Sequence, residues 1–264
     1  MRTNVNQHSR AAFTIIELLI VIAIIGALAA ISLPALKGIS QSRTVSNASQ
    51  QLMDDLALAR QYAINNRAFV HVVFVPPSIT NMTFVPGQDL PKRLMTEQYS
   101  GYAFYAERTV GDQPGPGRPR YLSKWKSLPD GVFIAQREFT PISFKFWEAA
   151  NNTPLGRPFR MLTDPENKTV FPFPTLTNAA VELPHITFSP KGSCVYLDTD
   201  KVRKPCDEII ELARGSILAV RNETTGNLEY FDVRESPPNN SIDNYNRIRI
   251  DGLTGRATLE RLEL

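Results

Sequence analysis

Residues 18–33 read LLIVIAIIGALAAISL and hold no charge. From Phe13 to Leu33 the run is 21 residues, and Glu17 is its one charged member. Wound as an α-helix it would measure roughly 30 Å, the thickness of a bilayer's hydrocarbon core. A helix on a soluble core normally keeps a polar stripe at helical spacing. This run is apolar all round, which favours membrane insertion. Ahead of it MRTNVNQHSRAA carries Arg2, Arg10 and the initiator amine, and no acid. Positive charge before a first span keeps that end in the cytoplasm and sends the rest of the chain across the membrane.

Three readings fit such a run. It is a secretory signal peptide cut after Ala29, where Ala27-Leu28-Ala29 fits the small-x-small rule; an uncleaved anchor; or a leader cut ahead of the apolar run, between Ala12 and Phe13. Glu17 discriminates. A carboxylate in an apolar span costs up to about 3 kcal/mol at its centre and less near an end. A plain signal or anchor gains nothing from it. If the cut leaves Phe13 as the new N-terminus, Glu17 lies one turn from a free amine, at the positive end of the helix dipole. It can then pair with the amine of a neighbouring subunit.

AAFTIIELLIVIAIIGALAAISLP resembles the N-terminus of type IV pilins and pseudopilins. That pattern has a small residue before the cut, then Phe, then Glu four residues on, and often Gly and Pro later. Here these fall on Ala12, Phe13, Glu17, Gly26 and Pro34. The residue before the cut is Ala12, where the family usually has Gly. The resemblance implies cleavage by a prepilin peptidase before Phe13, methylation of the Phe13 amine, docking of each incoming subunit through Glu17, and a helix-bending role for Pro34.

No linker follows Leu33. Val45, Ala48, Leu52, Leu56, Ala59 and Ala63 recur every three or four residues, with Gln51, Asp54, Asp55 and Arg60 between them. This predicts an amphipathic helix ending near Asn65-Asn66 whose apolar stripe packs on a soluble domain. A second resemblance lies here and beyond. Leu52, Leu56, Ala59-Arg60, Ala63 and Ile64 with FVHVVFV (69–75), then SLPDGVFI (127–134), HITFSPKGS (185–193) and RIRIDGLTGRATLERL (247–262), follow in the order seen in the H-type minor pseudopilin (GspH/FimT) family.

Residues 68–264 are long enough to bury a core. Sixteen of the 20 prolines lie between Pro76 and Pro190, which excludes long helices there. Strands are expected at Phe69–Val75, Tyr102–Glu107, Gly131–Ile134, Ile142–Trp147, His185–Phe188, Ser193–Leu197, Glu208–Ala213, Ser216–Arg221, Leu228–Val233, Asn246–Asp251 and Arg256–Leu262. Alternation in ISFKF and RIRI predicts a sheet with one wet face. GDQPGPGRP (111–119) and much of 148–180 read as surface loop. The fold class is therefore α+β. With the resemblance it becomes pilin-like: a leader over 1–12, a membrane or filament-core helix half over 13–36, an amphipathic half over 37–67, and a periplasmic, mainly antiparallel β domain over 68–264.

Recognisable site chemistry is sparse. His71 and His185 sit in apolar strands and read as satisfied core or edge residues. Asp198, Asp200, Asp207 and Glu208 are weighed as a calcium site, with a charged hairpin tip as the default. No catalytic residue, metal or cofactor is assigned, and the chain is not expected to be an enzyme. Cys194 and Cys206 would face an oxidising compartment. A bridge between them would close a loop of about a dozen residues and add on the order of 3 kcal/mol; the alternative is two thiols, one buried in a strand. Residues 92–126 hold seven bases against three acids, with Tyr99, Tyr102, Tyr105, Tyr121 and Trp125 interleaved. Nucleic acid is one reading of that pattern; a solvated edge with the rings on the core side is preferred, given a net charge of only +3.

The resemblances together imply a minor pseudopilin of a type II secretion or type IV pilus-like filament. It would sit in the inner membrane with a single pass, its N-terminus cytoplasmic before processing and its globular domain periplasmic. Its partners would be other pseudopilins or pilins, prepilin peptidase and the inner-membrane assembly platform. Two alternatives stay open: a DNA-binding minor pilin used in uptake, and a periplasmic protein released by ordinary signal peptidase.

Overall fold

The computed structural model describes residues 15–75, 77, 94, 96–109, 117–139, 170–197, 202–221, 228–243 and 246–261, with backbone alone over 29–42 and at 137, 221, 228 and 229. Ala12, Phe13, the strand expected at 142–147, most of the 111–119 loop, and Asp198 and Asp200 lie outside these residues. The chain divides into two compact units, Met1–Arg43 and Thr44–Leu264. One helix, α1 (Ile15–Asn66), begins in the first and ends in the second. The helical backbone continues through Pro34.

Within the second unit α1 presents its apolar stripe inward. Val45, Ala48, Leu52, Leu56, Ala59 and Ala63 are all buried. The small residues at 48, 59 and 63 let strand side chains approach the helix closely, while Leu52 and Leu56 fill the space between. These residues share one core with Val70, Val72, Phe74, Phe104, Ile186 and Phe188 and with Ile210, Leu212, Ile248 and Ile250. Each fully buried aliphatic or aromatic side chain contributes roughly 1.5–3 kcal/mol.

The strands in chain order are β1 (Val70–Phe74), β2 (Gly101–Ala106), β3 (Arg120–Tyr121), β4 (Lys126–Ser127), β5 (Val132–Ile134), β6 (Val170–Pro172), β7 (Ala180–Glu182), β8 (His185–Phe188), β9 (Cys194–Leu197), β10 (Arg203–Pro205), β11 (Glu208–Arg221), β12 (Leu228–Glu235), β13 (Asn246–Ile250) and β14 (Ala257–Arg261). A short helix, α2 (Asn240–Asp243), precedes β13. Every pairing is antiparallel. One sheet runs β10-β9-β8-β1-β2-β3, with β4 also on β2; a second runs β12-β11-β13-β14, with β5 also on β11; β6 and β7 form a hairpin.

Two expectations need correction. The wet face holds for β13, where Ile248 and Ile250 are buried and Arg247 and Arg249 are partly exposed, but not at the centre of the first sheet. All of β1 and β2 is buried. The β6–β7 hairpin lies in and beside a stretch read as loop, and Phe171, Phe173 and Leu183 cluster with Val73, Val75, Ala103, Tyr105 and Trp125 on the sheet's second face. A strand covered on both sides loses its alternation. The second correction is at Gly215. Strands expected at 208–213 and 216–221 are one 14-residue strand, β11. Gly215 permits this by close approach, since a Cβ there would stand 1.9 Å from the Arg234 carbonyl oxygen.

Candidate functional site

The feature with functional content is the first half of α1. Among its described side chains, Ile15, Ile16, Leu18, Leu19, Ile20, Val21, Ile22, Ile24, Ile25 and Leu28 are all exposed, from 42 % at Val21 to 87 % at Ile15. A patch of this size on a soluble protein marks a surface that something else covers. Glu17 lies in the first turn. There it meets the partial positive charge of the helix N-terminus. Among the described residues no helix is long and apolar enough to cross a membrane. The described side chains of this run end at Leu28, short of the ~20 residues a span takes.

The second half of α1 is fastened by two polar locks that sequence reasoning did not single out. In the first, Asp55 is buried beneath the sheet. Tyr102 donates its hydroxyl to Asp55 Oδ2 at 2.6 Å, and Lys126 Nζ reaches Oδ1 at 2.6 Å. Gln51 Nε2 donates to the Tyr102 oxygen at 3.0 Å and to the Ser127 carbonyl at 2.9 Å. Burial, then the hydrogen bond to Asp55, push the Tyr102 pKa well above the ordinary tyrosine value, so the phenol stays protonated as a donor. The signal was present: Asp55 completes the helical spacing 48, 52, 55, 59, an acid inside the apolar stripe.

The second lock joins three of the motifs behind the pseudopilin resemblance. Arg60 Nε donates to the carbonyl of Gly192 at 3.0 Å and to that of Thr254 at 2.8 Å. One carbonyl belongs to the β8–β9 turn (SPKGS), the other to the β13–β14 turn (DGLTGR). Gly192 and Gly255 have φ of 82° and 63°, the left-handed region that favours glycine. They also touch: a Cβ on Gly255 would stand 2.0 Å from the Gly192 oxygen. These motif residues therefore hold helix to sheet.

The remaining sequence candidates fall as follows. Of the interleaved aromatic residues, Tyr99, Tyr102, Tyr105 and Trp125 are buried. The Trp125 indole donates to the Pro174 carbonyl and the Tyr121 hydroxyl to that of Pro172. They face the core, with no ring set out for base stacking. His71 is buried between Thr187 Oγ1 at 2.8 Å and Glu107 Oε1 at 3.1 Å, and His185 Nδ1 bonds the Leu183 carbonyl at 3.0 Å. Burial lowers both histidines, His185 to about 3. Asp207, weighed for calcium, accepts from Arg249 at 2.8 Å and from the Gly252 amide at 2.7 Å, and no metal-holding cluster occurs among the described residues. Cys194 is a buried and Cys206 a half-buried free cysteine in this structure. Neighbouring backbone joins them, Cys206 N donating to the Cys194 carbonyl at 3.1 Å. Cys194 packs into the helix-side core, and Cys206 Sγ approaches the Asp207 carbonyl at 3.3 Å.

Residues 7–33 match the family described as the prokaryotic N-terminal methylation motif. The N-terminal segment is type IV prepilin-like. Such a segment is processed by prepilin peptidase, anchors the N-terminus in the membrane and assembles with other pilins. The match spans both the Ala12–Phe13 junction and Glu17, and it ends one residue before Pro34. No curated protein and no solved structure matches the chain.

Proposed function

We propose that this chain is a minor pseudopilin of the H type, a non-enzymatic subunit of a type II secretion or type IV pilus-like filament. The observation that carries the proposal is the pairing of opposites in α1. Its first half displays an apolar surface with a single acid near the amine end, and its second half is the spine of a folded β domain. Support for the H type comes from the order of its motifs and from Arg60, which ties two of them to the helix.

In this mechanism the precursor waits in the inner membrane as a single-pass protein with its globular domain in the periplasm. Cleavage before Phe13 frees an amine one helical turn from Glu17. As the subunit enters the filament, the rod trades lipid for the rods of its neighbours. Glu17 pairs with the amine of an adjacent subunit, and because an ion pair in an apolar bundle tolerates little displacement, it fixes the axial register. Pro34 bends the helix between the two halves.

The mature N-terminus tests this directly. Mass spectrometry of the protein recovered from cells should find N-methylated Phe13. An N-terminus at Ala30 would assign the chain to ordinary signal peptidase, and an intact leader would remove the assembly mechanism.

A further inference from the structure

β12 (Leu228–Glu235) ends its sheet and pairs with β11. Ser236 N donates to the Arg214 carbonyl at 2.8 Å, and the register continues through Gly215↔Glu235 and Ser216↔Arg234. Tyr230, Asp232 and Arg234 therefore turn their backbone groups toward β11, while Phe231, Val233 and Glu235 turn theirs away. Among the described residues no backbone hydrogen bond meets this outer side. An open edge of this kind invites another strand, and proteins usually blunt it by keeping the strand short or by placing proline or lysine on it. The other edge strands follow that rule. β3 and β4 have two residues each, β5 has three, β10 has three including Pro205, and β14 has five. β12 has eight, with neither proline nor lysine.

The two faces of this strand differ. Phe231 and Val233 pack with Ile217 against the helix-side core, which fixes the strand in place. The opposite face carries Tyr230, 55 % exposed, with Leu218 of β11 at 53 %. Asp232 and Arg234 follow Tyr230 at alternate positions, and Leu218 stands opposite Asp232, so all of these share one face. Arg234 pairs with Asp232 of its own strand at 2.7 Å. An open backbone edge, two exposed apolar side chains and an alternating acid and base thus lie together.

We propose that β12 is a seam between two copies of this chain, paired antiparallel about Val233 so that Asp232 of each copy faces Arg234 of the other. The strand's own charges choose this partner and this register. Directly opposed residues of an antiparallel pair share a face, so a two-fold seam is centred on a residue. Centred on Asp232, it sets two aspartates against each other, which destabilises the pair. Centred on Phe231, it sets Asp232 opposite Tyr230. Centred on Val233, it sets acid opposite base at both positions. Each Asp232 then keeps the Arg234 of its own strand and gains that of the second copy. These are the non-hydrogen-bonded positions, where opposed side chains come closest, and Phe231, Val233 and Glu235 exchange backbone hydrogen bonds across the seam. One strand pair is a small interface by the standard of about 1,200 Å², so the association is weak and concentration-dependent. The seam lies wholly in the Thr44–Leu264 unit, so the proposal does not depend on how the rod assembles.

The test uses the full chain in detergent micelles, as donor- and acceptor-labelled copies whose energy transfer is followed through a dilution series. Wild-type copies should associate as concentration rises. Asp232→Arg and Arg234→Asp should each weaken self-association by about tenfold or more, because like charges then face each other at both positions. Mixed together, the two variants should regain wild-type association, since the arginines of one copy meet the aspartates of the other. An ion pair that matters only within one strand cannot be rescued by mixing. Circular dichroism reports that each variant is folded. Hydrogen exchange gives a second reading: the amides of Phe231, Val233 and Glu235 should exchange fast in the dilute chain and slow on association. Association that neither substitution weakens would be carried by the rods and overturns the seam. A mixture no tighter than its components overturns it too, as does slow exchange of these amides in the dilute chain, which would mean that the chain covers this edge itself.

Discussion

The two halves of α1 obey one helical geometry and meet opposite fates. From Ile15 to Leu28 every large apolar side chain is exposed; from Thr44 to Asn66 the apolar stripe of Val45, Ala48, Leu52, Leu56, Ala59 and Ala63 is buried, while Gln50, Asp54 and Gln61 face water and Asp55 and Arg60 close the two locks. The difference lies in the distribution of apolar residues around the helix. A stripe can be satisfied by one sheet, and the chain supplies that sheet. A rod apolar on all sides cannot be satisfied by any single face, so it needs lipid or several neighbours. The first half is thus written for partners outside the chain, the second for partners within it.

The sharpest way to break this comparison is to shorten one side chain in the buried half. Leu56 is 1 % exposed and touches both sheets' core. Leu56→Ala should lower unfolding stability by about 2–5 kcal/mol. Denaturant titration in micelles, followed by tryptophan emission, measures it. A loss under about 1 kcal/mol would mean that the stripe is not the domain's spine.

Acid should act on the same half next most strongly. His185 titrates at about 3 in the fold against 6.5 unfolded, because burial disfavours its charged form. The sign follows: below pH 6.5 the unfolded chain binds a proton that the fold refuses, so stability falls with pH until about 3. His185 alone should cost about 2 kcal/mol by pH 5. His71 shifts the same way, between Glu107, which opposes the shift, and Arg203, which adds to it. Glu107 adds a later loss, between about 4.5 and 2. His185→Gln should flatten the limb between pH 6.5 and 5 in a series of denaturation curves. An unchanged limb would place the acid sensitivity elsewhere.

Much of this was legible in the sequence, for reasons that differ by region. The rod was legible because length and uniform hydrophobicity are one-dimensional properties. The stripe was legible because helical period is local. The central strands were found, but their second face was misjudged: whether a strand is covered depends on the distant β6–β7 hairpin, whose three-residue strands are too short to show a period. Asp55 was visible as an acid in an apolar stripe. Its meaning needed Tyr102 and Lys126, 47 and 71 residues away. Arg60 and the glycines at 192 and 255 were visible as motifs, and only the fold shows them touching.

The locks give an intermediate effect. Asp55→Ala leaves the Tyr102 hydroxyl and the Lys126 ammonium without their shared acceptor, and should cost about 1–3 kcal/mol. Phe at 102 instead of Tyr removes the donor and is the milder change. Arg60→Ala releases two carbonyls that water can reach at the turns, so about 1–2 kcal/mol is expected. A larger loss from Arg60→Ala than from Asp55→Ala would contradict the difference in burial between the two locks.

The smallest effect on folding should come from the exposed half, and it completes the comparison. Ile22 is 59 % exposed in the chain alone, so Ile22→Ala removes little contact within the fold. Unfolding stability in micelles should change by less than about 0.5 kcal/mol. The same substitution removes a knob from whatever surrounds the rod. Recovery of the protein in sheared filaments should therefore drop while the level of folded precursor holds. Glu17→Ala should do the same more severely, because it removes the register contact rather than a fraction of the packing. A stability loss at Ile22 comparable to that at Leu56 would mean that the rod is covered by its own domain. The two halves of α1 would then be one buried helix, and assembly through the first would have no free surface on which to act.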